Sequence, residues 1–173
     1  MGAVMASLAA CSGASTGTAT PAATPSPARD AAAEAYVALI HNFWIEEQSA
    51  DEASNGKNLA ARVCLGVDPP GTPADLQLVD PAACHERAIA LLATHQKFLG
   101  DLDRTPAPAK FLPDDQVFRA QIPKTIADLN RLISATQSGG KSAVLQAATA
   151  YNGDMYPSVT DALNDVDPSV RHP

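Results

Sequence analysis

Apolar residues return along this chain at intervals of three and four, the spacing that lines one face of a helix. The clearest run lies between Asp80 and Leu102. There Cys84, Ala88, Leu91, Leu92, Phe98, Leu99 and Leu102 form one stripe, with Glu86, Ala90, Lys97 and Asp101 on the opposite face. Asp80-Pro81 is a suitable start. Asp accepts from the free N–H groups of a first turn, and Pro has no N–H to lose there. Gly100 and the run Thr105-Pro106-Ala107-Pro108 mark the expected end. His95 falls inside the apolar stripe.

An earlier stripe is made by Ala33, Tyr36, Val37, Ile40, Phe43 and Trp44. It opens at Ser26-Pro27 and is expected to end between Ser49 and Gly56. Ser49-x-x-Glu52 also fits a capping box that opens a new short helix. Lys57 to Leu65 reads as a short helical segment with Leu59, Val63 and Cys64 inward. Asp68-Pro69-Pro70-Gly71-Thr72-Pro73 then marks a non-regular excursion. Beyond the central helix, Asp103 to Leu112 is a proline-rich link. Pro113-Asp114-Asp115 opens a helix with the stripe Phe118, Ile122, Ile126, Leu129 and Ile133, and Gly139-Gly140 closes it. Pro123 either kinks this helix or marks where its regular part begins. The last stripe, Val144, Ala148, Tyr151, Met155, Val159, Leu163 and Val166, keeps helical spacing past Gly153 and Pro157. It predicts two helices nearly in line, or one with a bend. The expected architecture is all-α: an antiparallel four-helix bundle with kinked helices, a Pro-rich loop and one disulfide.

Composition narrows the partners. The chain has 173 residues, 46% hydrophobic and 18% charged, enough for one domain with a core. Residues 1–28 carry no charge, so the formal charge of -7 lies wholly on residues 29–173. An acidic domain repels phosphates and anionic headgroups, which argues against nucleic acid and against a charged lipid surface. Only 5% of residues are aromatic, too few for a base-stacking platform.

The N-terminus changes the picture further. Leu8-Ala9-Ala10-Cys11 resembles the lipobox of bacterial lipoproteins, in which an aliphatic and two small residues precede the cysteine that is lipidated. The resemblance implies cleavage before Cys11 and acyl chains on that residue. Ser12 to Ala28 follows, made of Ser, Thr, Ala, Gly and Pro, similar to the tethers of actinobacterial lipoproteins. Such a segment buries too little apolar surface to order itself. The expected organisation is a signal-peptide remnant over 1–10, the lipidated Cys11 and its tether over 11–28, and a helical domain over 29–173. The resemblance places that domain on the extracytoplasmic face of a cell membrane, held by lipid alone, since no apolar run is long enough to span. With Cys11 lipidated, Cys64 and Cys84 remain as an even pair for a disulfide in an oxidising compartment. That bridge would contribute roughly 3 kcal/mol by restricting the unfolded chain.

Candidate chemistry rests on few residues. His95 on an apolar stripe fits a haem or metal ligand, or a neutral core histidine bonded to an oxygen acceptor. His85 and His95 are about 80° apart around a helix, so they do not chelate one ion by themselves. A pairing of His41, beside Trp44, with His95 would cross the bundle. No Glu-x-x-His, C-x-x-C-H, H-E-x-x-H, G-x-S-x-G or complete phosphate loop occurs. The acidic run Glu46, Glu47, Asp51 and Glu52 reads as a solvated face, with a cation or basic partner as its other reading. The expectation is a non-catalytic binding or interaction module with no cofactor and no assigned metal site. Its partner would be an envelope protein or a small ligand. The alternative is a small-ligand, haem or metal carrier using His41, Trp44, His95 and Met155.

Overall fold

The computed structural model describes residues 27–55 and 81–170. Every regular element among them is helical. In chain order they are α1 (Pro27–Asn55), α2 (Pro81–Arg104), a 3-10 turn (Ala109–Phe111), α3 (Leu112–Ser138), α4 (Lys141–Met155) and α5 (Ser158–Val166). The expected tether up to residue 26 with Cys11, the short helix expected over Lys57 to Leu65, the excursion after it and Cys64 lie outside the described residues, while Pro27 and Ala28 already belong to α1.

Helix ends follow proline more closely than glycine. Gly100 sits within α2, which continues to Arg104, and the Thr105 N–H still donates to the Asp101 carbonyl at 3.0 Å. The helix stops where Pro106 and Pro108 follow, because a residue before proline is driven out of the helical region. Pro123 lies inside α3, which already runs regularly from Leu112. The reading in which that helix begins at Pro123 is therefore excluded. Pro123 is exposed, where water can meet a carbonyl that has lost its N–H partner. Ser49 and Glu52 both fall inside α1, so they open no new helix. The final stripe is divided: α4 ends at Met155, the Tyr156-Pro157 bond is cis, and α5 starts at Ser158.

The helices bury their stripes against one another. α2 packs on α1 and on α3, α3 packs on α4 and α5, and α1 also meets α5. Two apolar clusters result. One joins Tyr36, Ile40, Phe43 and Trp44 of α1 to Phe98, Phe118, Ile122, Met155, Val159 and Leu163. The Phe43 and Phe98 rings stack at 3.9 Å, and Phe118 meets Phe98 edge-on at 5.6 Å. The other joins Cys84, Ala88 and Leu91 to Leu129, Leu132, Val144, Ala148 and Tyr151. Each fully buried Leu, Ile or Phe contributes about 1.5–3 kcal/mol relative to exposure, so the clusters carry the fold.

A polar clamp closes one end of the first cluster. The buried Tyr36 hydroxyl donates to Asp115 Oδ1 at 3.0 Å. Arg119 Nε donates to Asp115 Oδ2 at 2.8 Å, while its other nitrogens reach Asp103 Oδ1 at 2.8 Å and the Leu102 carbonyl at 2.7 Å. One guanidinium thus ties the end of α2 to the first turns of α3, and one phenol ties α1 to α3. Burial, then the bond to Asp115, holds the Tyr36 hydroxyl far above its ordinary range.

Candidate functional site

Polar side chains are buried where the two apolar clusters meet. On α2, His95 sits between Leu91 of one cluster and Phe98 of the other. On α3, Thr125 and Asp128 sit between Ile122 and Leu129; on α1, Glu47 follows Trp44. Tyr151 enters from α4, and Arg87 of α2 faces Glu47. Polar groups so deep in a core draw attention, because each costs free energy unless it is bonded.

His95 is fully buried and its two nitrogens are both engaged. Nδ1 lies 2.8 Å from Thr125 Oγ1, and Thr125 Oγ1 donates to the Ile122 carbonyl at 2.8 Å. The hydroxyl proton is therefore committed to the carbonyl, so Nδ1 carries the proton and donates to Thr125. Nε2 is then the acceptor for the Tyr151 hydroxyl at 3.2 Å. The result is a one-way relay from Tyr151 through His95 and Thr125 to the Ile122 carbonyl. Phe43 meets the imidazole edge-on at 5.3 Å. Burial pulls the imidazole down to about 3. Its sign follows: the folded state refuses a proton that the unfolded chain accepts below about 6.5, so this group lowers stability as pH falls from there toward 3. A neutral core histidine fits this geometry. A metal ligand needs a free lone pair, and here that lone pair accepts from Tyr151.

Glu47 and Arg87 form a second buried unit. Both are more than nine-tenths buried. Burial raises the Glu47 carboxyl, against the opposing pull of the Arg87 charge and of a 3.1 Å bond from Gln48 Nε2. Burial lowers Arg87 to about 10, which leaves it charged at neutral pH. Its neighbour Glu46 has the solvent position expected of the acidic run, paired with Lys97 at 2.6 Å. Glu47 does not, and that part of the expectation is corrected. One residue turns 100° around a helix, enough to carry a carboxylate from surface to core.

The other candidates lie apart. His41 is half exposed, and its Nδ1 lies 2.8 Å from Asp167 Oδ2. Ser169 Oγ is 3.5 Å from that same nitrogen but donates to Asp167 Oδ1 at 2.7 Å. These are the residue types of a hydrolytic triad in another arrangement. There the hydroxyl and the carboxylate take opposite nitrogens of the imidazole. Here they crowd one nitrogen, and the Ser proton goes to Asp. The cluster fastens the end of α5 to α1. Burial would raise Asp167, but the two Ser169 donors and His41 outweigh it and hold the carboxyl below its ordinary range. Trp44 and Met155 are buried in the first apolar cluster, which His95 touches through Phe43. His41, on the outside of α1, does not join them. His85 bonds Thr136 at 2.9 Å. Among the described residues, no group of three or more His, Cys, Asp or Glu side chains is placed to hold a metal ion.

The surface offers a depression of about 220 Å³ between α1 and α2, lined by Leu39, Asn42, Phe43, Glu46, Lys97 and Phe98 among others. Its rim carries one cation against two carboxylates: Lys97 bridges Glu46 and, at 3.5 Å, Asp101. Sequence reasoning missed Thr125, Asp128 and Arg87, and placed Glu47 only in the acidic run. All four are polar and lie off or beside their stripes, and the signal that could have found them is proximity in register to the stripe residues. No family model, no curated protein and no solved structure matches this chain.

Proposed function

We propose that this chain is a lipid-anchored extracytoplasmic protein whose helical domain works by binding and not by catalysis. The observation that carries the reading is the motif Leu8-Ala9-Ala10-Cys11 followed by seventeen uncharged residues without a bulky apolar side chain. The domain's side chains agree with a binding role. Both nitrogens of its core histidine are engaged, and its Ser-His-Asp cluster has the wrong hydrogen-bond order for attack on a carbonyl. The His95 relay favours binding at the surface over a ligand carried in the interior. The finer architecture belongs to the same reading: an antiparallel four-helix bundle in which α4 and α5 together fill the fourth position. Fully buried Cys84 would be bridged to Cys64 across the proline-rich excursion. The partner is an envelope protein or a small ligand.

The anchor is tested by expressing the full chain in a bacterium fed a clickable fatty acid. The wild type is expected to take up label and sediment with membranes. Cys11→Ala should lose the label and more than nine-tenths of the membrane-bound fraction. Equal labelling of both proteins would remove the lipoprotein reading.

A further inference from the structure

Asp128 is the least explained group in the core. Its side chain is fully buried on α3. Oδ1 takes a donor from Arg131, whose own side chain is two-thirds exposed. Oδ2 is buried and receives no donor among the described residues. The group within hydrogen-bonding reach from the facing helix is a second carboxyl, Asp154, in the last turn of α4. Two carboxylates hold no hydrogen between them, and Asp128 Oδ2 is itself closed off from solvent. An arrangement of this kind is satisfied when one proton lies between the two oxygens.

We propose that Asp128 and Asp154 hold a single proton between them, making the α3–α4 contact a proton-sensitive joint beside the break between α4 and α5. With the proton in place the pair is a strong hydrogen bond from helix to helix. When the proton leaves, two like charges face each other across the same contact and press the last turn of α4 away from α3. The surroundings do not offset this. Arg131, on the same helix, supplies one positive charge from a solvent-exposed position. From α2, the imidazoles that face this part of α3 are His95 and His85, engaged by Thr125 and Thr136. From α4, Tyr151 donates to His95. From α5, Asp165 acts on Asp114, near the opposite end of α3. Burial first, and Asp154 next, raise the Asp128 carboxyl, in keeping with the shared proton.

The sign is opposite to that of an ordinary ion-paired aspartate. Folded Asp128 binds its proton more tightly than the unfolded chain, whose aspartates titrate near about 3.9. Its stabilising contribution is complete below that value and is lost as pH rises through the folded midpoint. The experiment compares melting temperature against pH for the wild type, Asp128→Asn and Asp154→Asn in the full chain. It is joined to carbon NMR of the aspartate carboxyls. The wild type should fall relative to both variants as pH rises, and at neutral pH each variant should melt at or above the wild type, by about 2–4 °C. Asp154→Asn should also move the Asp128 midpoint downward, because the two titrate as one system. Asp154 is half exposed, so its variant keeps the test open if Asp128→Asn does not fold. An Asp128 midpoint unmoved by Asp154→Asn would overturn the proposal. So would a neutral-pH loss in both variants, the mark of a plain ion pair.

Discussion

Replacing Arg87 by methionine is expected to lower folding stability by about 3–5 kcal/mol, the largest loss of any single polar substitution in the domain. The reason is what remains behind. Glu47 is 6% exposed and Arg87 5%. Without the guanidinium, the carboxylate is left charged in a core that disfavours it. It answers by taking up a proton, since burial already pushes it upward. The variant therefore has a steeper pH dependence from Glu47 than the wild type, because the Arg87 charge no longer opposes the rise. The Glu47 contribution is most favourable below the ordinary glutamate range, near about 4.3, and is lost as pH rises through the elevated midpoint. Urea unfolding at pH 5 and pH 7 reads both effects. Glu47→Gln added to Arg87→Met should restore most of the loss, because a neutral pair of similar size leaves no buried charge. A loss below 1 kcal/mol for Arg87→Met alone, an estimate set by exposed pairs, would mean that the pair is solvated.

Asp115→Ala is expected to follow, at about 2–4 kcal/mol. The substitution frees two groups at once: a phenol buried against Phe111, whose ring stacks on it at 5.6 Å, and the Arg119 nitrogen that reaches Oδ2. It also removes an acid from the first turn of α3, where the helix dipole favours one. Tyr36→Phe removes only the hydroxyl and should cost about 1 kcal/mol. The combination of the two should fall short of their sum, since they break one shared bond. Thermal unfolding of the three variants gives the cycle. Strict additivity would show that the Tyr36–Asp115 bond carries no coupling.

The sequence made some of this legible and hid the rest for physical reasons. Stripes at three and four gave the buried faces of α1 through α5, because a helix fixes which residues share a side. The stripe residues Tyr36, Ile40, Leu91, Phe118, Ile122, Leu129 and Leu163 are all fully buried. Boundaries were less readable. Gly100 looked like a terminator, yet glycine only permits a turn, whereas Pro106 and Pro108 forbid continuation. Pro123 looked like a break or a start, yet on an exposed face a helix tolerates it. The polar core was not readable. His95 drew notice because imidazole on an apolar stripe is unusual, but its partners Thr125 and Tyr151 come from two other helices. Their meeting depends on helix rotation, which no single stripe specifies. The same holds for Asp128 with Asp154 and for Glu47 with Arg87. His41 lies beside the first stripe, next to Trp44; three residues leave them about 60° apart around the helix, and His41 meets Asp167 at the surface while Trp44 enters the core.

The proposed function has this domain keep its polar core for stability and meet other molecules at its surface. The most direct test is a metal and haem analysis of the full chain purified from an oxidising compartment, alongside His41→Ala and His95→Ala. The expected result is less than one-tenth equivalent of metal or haem in all three. A stoichiometric metal or haem in the wild type that disappears in His95→Ala would contradict the account. It would mean that the imidazole gives up Tyr151 to hold a ligand, and that the interior is the binding site.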